Sequence, residues 1–338
     1  MLKSRFQKFN TLSIICMALA ILVPCSIAAA DQIKIKLAHT VPASHAYHKG
    51  YLKFKDLVEK RTNGKVSITI FPHGTLGGDI QAADSVQMGI AQMALTGTFG
   101  LYDYNPKWAV LDLPYLFTSY EDIDKIIYGA IGKELMDEPV GNAYVLGFME
   151  NGFRHVSNNK RPITTLEDMK GLKIRTMQAP VHVSAFKAMG ASPTPLPFGE
   201  LYTAMQTGVV DGEENPPSLF YAMKFYEVQK YFSKTTHVYL AGMTVINKPF
   251  FDRLPADIQK IIKTSFVEAA EFQRELVRKD DAEKLEILKT KLKVNDVSKE
   301  EIKRMKKATR PVYEEWADKI GRDFLNKTFK ELGQEASF

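Results

Sequence analysis

Apolar residues in the first third of the chain switch between two periods. Residues 32–38 and 65–71 alternate between apolar and polar positions, which is typical of half-buried strands. Between them, residues 46–61 carry apolar side chains at three- and four-residue spacing, which predicts an amphipathic helix. A helix near residues 80–88 and a strand at residues 91–95 follow. This strand-helix-strand-helix-strand order predicts a parallel sheet covered by helices.

The next segment is less regular. Residues 105–117 are aromatic and without clear period, and we expect irregular structure there. Residues 120–136 predict one helix and residues 143–149 another strand. The polar and glycine-containing segment at 151–154 predicts a crossing between two domains, and the extended segment at 237–245 a return to the first.

The segment from Gly171 to Pro217 contains several candidate binding residues at the ends or starts of predicted strands and helices. Its predicted elements are a strand at 172–176, a helix at 181–189, an extended segment at 191–197, a helix at 199–207 and a strand stub at 209–212. Arg175 thus ends a strand, Phe198 begins a helix, and Asn215 lies in a predicted tight turn. Because open α/β sheets place ligand crevices at such positions, we expect the binding site here.

A long helix is predicted at residues 255–291. After Pro255 the chain has no proline or glycine up to Lys291, and apolar residues recur at helical spacing. One helix of this length would measure roughly 55 Å, which exceeds a small domain, so we expect it to span two. A capping-box pattern of Ser298 and Glu301 predicts the start of another helix.

The first thirty residues are typical of a secretory signal peptide. Three basic residues precede an apolar run at 12–23, and Ala28–Ala30 offers a cleavage site. Both cysteines, Cys16 and Cys25, lie in this segment, so the mature chain is predicted to lack disulfides and thiol chemistry. The chain carries a net charge of +6, of which the leader contributes three, leaving +3. That balance does not favour nucleic acid or a membrane surface as a partner.

Several longer segments carry a family pattern. They are TNGKVSITIFPHGTLGGD, LDLPYLF, ENGFRHVSN, MKGLKIR, GASPTPLPFGELYTAMQTGVVDGEENP, KFYEVQKYFSKTTHVYL and VINKPFFDRLP. In this order they resemble the periplasmic substrate-binding subunit of a tripartite ATP-independent periplasmic (TRAP) transporter. The resemblance covers essentially the whole chain after residue 30.

The resemblance implies an α/β fold of the two-domain periplasmic-binding-protein type (type II-like), with a hinge and a long helix along both domains. Residues 31–151 plus 241–280 would form domain I, and residues 152–240 plus 281–330 domain II. The helix at 255–291 would span both.

The resemblance also implies site residues. Arg175 would pair with the ligand carboxylate, since a guanidinium offers two parallel donors to two oxygens. Asn215 would donate to the same carboxylate, Arg154 would supply a second cation, and Phe198 would pack on the carbon skeleton of the ligand. On pattern alone, Arg154 could equally form a salt bridge between domains, Asn215 could cap a turn, and Phe198 could belong to the core.

Four further residues are candidates for the cleft: His39, His45, Asp79 and Tyr239. Asp79 could bind ligand hydroxyls or cap its helix. Together with His48, the two histidines could suggest a metal, but their spacing fits no closed zinc site, so neither metal nor cofactor is predicted. Glu213 and Glu214 would repel a bound anion, and we interpret them as structural.

The predicted function is that of an extracytoplasmic solute receptor. It would be a periplasmic monomer that binds a small organic acid and delivers it to the membrane permease of a TRAP transporter. The ligand could be a C4-dicarboxylate or a sugar acid such as a uronate, and both stay open. An enzyme acting on the same acid, or a sensory receptor, are the alternatives; the enzyme is disfavoured because the site candidates hold a ligand rather than react with it.

Overall fold

One mixed sheet of nine strands organises residues 32–335, the part of the chain that the computed structural model describes. The predicted signal peptide at residues 1–30 lies outside these residues. The strands are β1 (Ile33–Ala38), β2 (Val66–Phe71), β3 (Met93–Gly97), β4 (Ala143–Asn158), β5 (Lys173–Thr176), β6 (Ser192–Pro195), β7 (Gly212–Asn215), β8 (Tyr231–Asn247) and β9 (Lys293–Asp296). Eight of them lie in the order β2-β1-β3-β8-β4-β7-β5-β6, and β9 pairs with β8.

Helices surround this sheet. In the described residues the α-helices are α1 (Ala46–Arg61), α2 (Asp79–Gln87), α3 (Tyr120–Ile127), α4 (Ala130–Asp137), α5 (Pro180–Ala188), α6 (Leu201–Gln206), α7 (Pro217–Ala222), α8 (Lys248–Asp252), α9 (Ala256–Leu288), α10 (Lys299–Ala308), α11 (Arg310–Ile320) and α12 (Arg322–Leu332). Short 3-10 helices lie at Thr98–Leu101, Pro106–Asp112, Leu166–Met169, Phe198–Glu200 and Phe225–Glu227. No helix between residues 32 and 335 has both the length and the apolar composition needed to cross a membrane.

Two long antiparallel strands connect the two ends of the sheet. β4 and β8 pair from Ala143 opposite Asn247 to Asn158 opposite Tyr231, with three breaks in register. Strands β1, β2 and β3, of which β1 pairs in parallel with the other two, flank one end, and β5, β6 and β7, paired in parallel through β5, flank the other. The predicted domain boundaries near residues 151 and 241 fall within β4 and β8, and the division into two domains at these positions stays a prediction.

Three local predictions were wrong. The strand predicted at 143–149 continues through the predicted crossing, so that β4 ends only at Asn158. The helix predicted at 120–136 is broken at Tyr128, and Gly129 caps a second helix, as expected for a residue of low helix propensity. Residues 105–117, predicted to be irregular, contain a 3-10 helix.

The predicted long helix is present as α9. Its 33 residues correspond to a length of about 50 Å. It packs against α1, β4 and α7. The Gln273 side chain accepts a hydrogen bond from the Glu150 backbone N–H (2.9 Å) and donates one to its carbonyl oxygen (2.8 Å). The middle of the helix is therefore fixed to β4 at the point where this strand passes from one half of the sheet to the other.

Candidate functional site

A small cavity lies where the ends of β3, β5 and β7 face the middle of β4 and β8. Its empty volume, which includes the part open to solvent, is about 450 Å³. The polar side chains that line it are Thr40, Tyr47, Asp79, Thr96, Asn151, Arg154, Arg175 and Asn215. The apolar side chains are Val41, Leu95, Phe99, Met177, Phe198, Leu219 and Leu240. A concave site in which apolar side chains surround converging polar groups is typical of small-molecule binding.

Arg175 stands in β5, near the carboxyl end of the strand. Its Nε and Nη2 atoms donate to the carbonyl oxygen of Leu196 (2.9 and 2.7 Å), which fixes the plane of the guanidinium. Its Nη1 atom is buried and has no hydrogen-bond partner in the described part of the chain. Arg175 also makes no ion pair with any carboxylate there, and burial lowers its pKa to about 10. The side chain is therefore still a cation at neutral pH, and one of its donors is free.

Arg154, in β4, is held differently. Its Nε atom donates to Glu214 Oε2 (2.5 Å) and its Nη2 atom to Oε1 (2.9 Å), a bidentate ion pair in which both side chains are buried. His237 Nε2 lies 3.2 Å from the same carboxylate. Burial alone would raise the pKa of Glu214, but Arg154 and His237 lower it well below its usual range. Arg154 thus reaches the cavity with its charge balanced by a neighbouring strand.

Asn215 lies at the end of β7 and not in the predicted turn. It stands opposite His155 of β4, and β7 begins at Gly212, the last residue of the strand stub predicted at 209–212. Its Nδ2 atom donates to Glu213, while its Oδ1 atom is buried without a partner within residues 32–335. Ser157 also donates to Glu213 (2.8 Å), and burial and the adjacent Glu214 raise the pKa of Glu213 to about 7.

Asp79 and Phe198 also line the cavity. Asp79 is the first residue of α2, and the Thr40 hydroxyl donates to its Oδ1 (3.2 Å). Burial raises the pKa of Asp79, and the nearby Arg175 and Arg154 act against this rise. The Phe198 ring is buried, with the Arg175 guanidinium 5.8 Å from its centroid.

Three predicted site residues do not line the cavity. His45 caps α1, where its Nδ1 accepts from the Tyr47 backbone N–H (3.3 Å). His39 packs against Tyr51 and contacts His48 (3.0 Å between ring nitrogens), and burial lowers the pKa of both His39 and His45 to about 3. Within residues 32–335 no group of three or more His, Cys, Asp or Glu is arranged to hold a metal ion.

Tyr239 is the third. It precedes Leu240 in β8, and neighbouring residues of a strand point to opposite faces. Leu240 lines the cavity, whereas the Tyr239 ring packs among Phe117, Phe153 and Tyr120. It therefore belongs to the aromatic core beside the strand.

Tyr47 and Asn151 also line the cavity, although neither was predicted as a site residue. The Tyr47 hydroxyl and the Asn151 Oδ1 are buried and have no hydrogen-bond partner among the described residues. Tyr47 reaches the cavity because Gly242 in β8 has no side chain: a Cβ there would lie 2.6 Å from the tyrosine oxygen. In sequence, Tyr47 follows the apolar spacing of α1, and Asn151 falls in the segment predicted to cross between domains, so neither position indicated a ligand contact.

The arrangement is suited to holding an anion. A buried, fixed guanidinium with a free donor attracts a carboxylate, and the apolar side chains of the cavity strengthen that attraction by lowering the local dielectric constant. The apolar side chains around it can cover a short carbon skeleton.

Comparisons with known proteins agree with this geometry. A family model for bacterial extracellular solute-binding proteins, family 7, matches residues 37–319. The C4-dicarboxylate-binding periplasmic protein DctP of Rhodobacter capsulatus is 34% identical over 317 residues, which cover 91% of this chain and 93% of that protein.

Two solved structures are similar over most of their length. The sugar acid binding protein DctPAm of Advenella mimigardefordensis, in complex with galactonate, has a TM-score of 0.87 at 32% identity, covering 89% of this chain and 98% of that one. A TRAP periplasmic solute binding protein of Sulfurospirillum deleyianum, with bound succinate, has a TM-score of 0.83 at 32% identity, covering 88% and 98%. These matches confirm the predicted α/β fold of the two-domain receptor type. The chain belongs to family 7 of the bacterial extracellular solute-binding proteins, which includes the solute receptors of TRAP transporters.

Proposed function

We propose that this protein captures a small organic acid in the cavity, with the ligand carboxylate on Arg175, and delivers it to the membrane permease of a TRAP transporter. The observation that carries the proposal is the buried Arg175 guanidinium, which has a free Nη1 donor and no carboxylate partner among residues 32–335. A buried cation without a counter-ion is costly, and a ligand carboxylate would remove that cost. Asn215 and Arg154 would complete the anion-binding side, and Phe198 would cover the carbon skeleton.

The relatives support this class of ligand. One is named for C4-dicarboxylates, and the two solved structures contain galactonate and succinate. The permease partner follows from the family, because these receptors serve TRAP transporters. We further propose that residues 1–30 direct export to the periplasm, where the protein acts as a monomer without a nucleic-acid partner.

We propose a receptor rather than an enzyme. The anion-binding side is built from guanidinium and amide groups, which stabilise a resting carboxylate as well as a transition state, and such uniform binding does not accelerate a reaction. Glu213, whose pKa is raised to about 7, accepts hydrogen bonds from Ser157 and Asn215. It does not line the cavity and so is not placed to act on a bound acid.

A thermal-shift screen of organic acids tests the proposal. Carboxylates of three to six carbons should raise the melting temperature, because a ligand that binds only the folded state stabilises it by mass action. The matched alcohols should have no effect. Arg175→Ala should remove the shift, and Arg304→Ala, which changes an exposed surface arginine, should keep it.

The fate of the ligand is the second readout. After overnight incubation with stoichiometric protein, mass spectrometry should recover the acid unchanged. A product that forms in proportion to the protein, and not with Arg175→Ala, would mean that the protein is an enzyme. Absence of any shift by any acid would reject the receptor.

A further inference from the structure

Two of the four buried polar atoms of the cavity that lack a partner in the described residues are pure hydrogen-bond acceptors. Asn151 Oδ1 and Asn215 Oδ1 are buried and accept no hydrogen bond from the described residues. The Asp79 carboxylate receives one side-chain hydrogen bond there, from Thr40. The donors that face these acceptors are the buried Arg175 Nη1, together with Arg154 Nη1 and Asn151 Nδ2, for which the described residues offer no acceptor. The Tyr47 hydroxyl can donate or accept. A ligand that satisfies this set must bring donors of its own.

The charges of the cavity admit one carboxylate. The guanidinium of Arg154 is matched by Glu214 in a bidentate pair, so it offers no uncompensated charge. Arg175 is the one cavity arginine that pairs with no carboxylate of residues 32–335. Asp79 lines the same cavity and contributes a carboxyl group to this space.

An unsubstituted dicarboxylate does not match these groups. Its second carboxylate would need another free cation, and near Asp79 it would be repelled. At neutral pH it has no hydrogen to donate to Asn151 or Asn215, so their buried oxygens would stay unpaired, which is costly.

A hydroxylated acid with one carboxylate matches them. Its carboxylate would take the free donor of Arg175. Its hydroxyl groups would donate to Asp79, Asn151 and Asn215. They would also accept from the Tyr47 hydroxyl, since a hydroxyl both donates and accepts.

We propose that the cavity selects polyhydroxylated monocarboxylates, the chemistry of sugar acids, over unsubstituted dicarboxylates, and that Asp79 is the residue that determines this specificity. The proposal rests on the proposed function and narrows its ligand to one class.

Calorimetric titration with galactonate, erythronate and succinate tests it. The wild type should bind at least one of the two hydroxy acids about tenfold or more tightly than succinate, because a site built to bond hydroxyls rejects a ligand that lacks them. Asp79→Asn should weaken hydroxy-acid binding by about tenfold, since a charged acceptor is replaced by a neutral one. The ratio of the affinity for the hydroxy acid to that for succinate should therefore decrease. Asp103→Asn, which changes an exposed carboxylate outside the cavity, should behave as the wild type.

The outcomes separate the two levels of the proposal. Tighter binding of succinate by the wild type would overturn the selectivity while leaving the receptor intact. An unchanged ratio of hydroxy-acid to succinate affinity in folded Asp79→Asn would overturn the role of Asp79. Failure of the wild type to bind any acid would overturn the receptor as well. The wild-type ratio decides the ligand class even if Asp79→Asn does not fold.

Discussion

The two arginines of the cavity differ in what holds them, and this sets their roles. Arg154 is fixed by the charge of Glu214, whereas Arg175 is fixed by the neutral carbonyl of Leu196. A neutral acceptor orients the guanidinium without cancelling its charge. Arg175 is therefore the group that can gain most from an incoming carboxylate.

Arg175→Lys should lose affinity for the acid by about tenfold or more, although the charge is kept. An ammonium group is a point charge and cannot reproduce the planar fork that the Leu196 carbonyl orients. Calorimetry with the best acid from the screen measures the change, and Arg304→Lys, on an exposed surface arginine, is the matched control. Equal affinity of Arg175→Lys and the wild type would show that charge alone suffices.

The sequence predicted only in part which residues reach the cavity. Arg154, Arg175, Phe198, Asp79 and Asn215 line it, and their binding roles stay predictions. Tyr47, Asn151 and the exclusion of Tyr239 could not be predicted, because they depend on which face of a helix or strand turns toward the cavity.

The elements with a regular period were predictable, and the buried polar strand was not. Helix α1 was predicted with the bounds that it has, because its apolar residues follow a helical spacing. All four residues of β7 are buried although three are polar, since Glu213, Glu214 and Asn215 find partners inside the protein. The apolar pair Val209–Val210 was therefore mistaken for the strand. Polar side chains that find hydrogen-bond or ion-pair partners can be buried in a strand, and such a strand lacks the apolar residues from which strands are predicted.

Helix α9 carries a buried carboxyl that should make stability depend on pH. Asp281 accepts a hydrogen bond from the Ser218 backbone N–H (2.9 Å) and packs on Gly152, where a Cβ would lie 2.3 Å from Asp281 Oδ2. Burial raises the pKa of Asp281 from 3.8 to about 7. Between these values the folded state holds a proton that the unfolded state releases. The tighter binding of this proton by the folded state stabilises the protein fully below pH 3.8, and this stabilisation is lost as the pH rises through 7.

Asp281→Asn should remove this loss. Relative to the wild type, the variant should gain about 1.4 kcal/mol in free energy of unfolding for each pH unit between 5 and 7. Urea unfolding at pH 5, 6, 7 and 8 measures it, and the difference between the two proteins cancels the other titrating groups. Glu283→Gln, an exposed acid on the same helix, should show no such trend. A constant difference across this range would contradict the assignment.

At the scale of the whole molecule, β4, β8 and α9 run along both halves of the sheet, and the cavity lies between these halves. Connected halves with a ligand site between them are suited to hinge closure. Closure would expel water and strengthen the pairing of Arg175 with the ligand. The family and the fold were predictable from long motifs, whereas the ligand depends on individual side chains that motifs do not specify.

Small-angle scattering with and without saturating acid tests most directly whether the receptor closes on a carboxylate held by Arg175. We expect the acid to reduce the radius of gyration of the wild type and of Arg304→Ala, while Arg175→Ala keeps its ligand-free value at the same acid concentration. An equal contraction of Arg175→Ala, or identical scattering of the wild type with and without bound acid, would contradict this expectation.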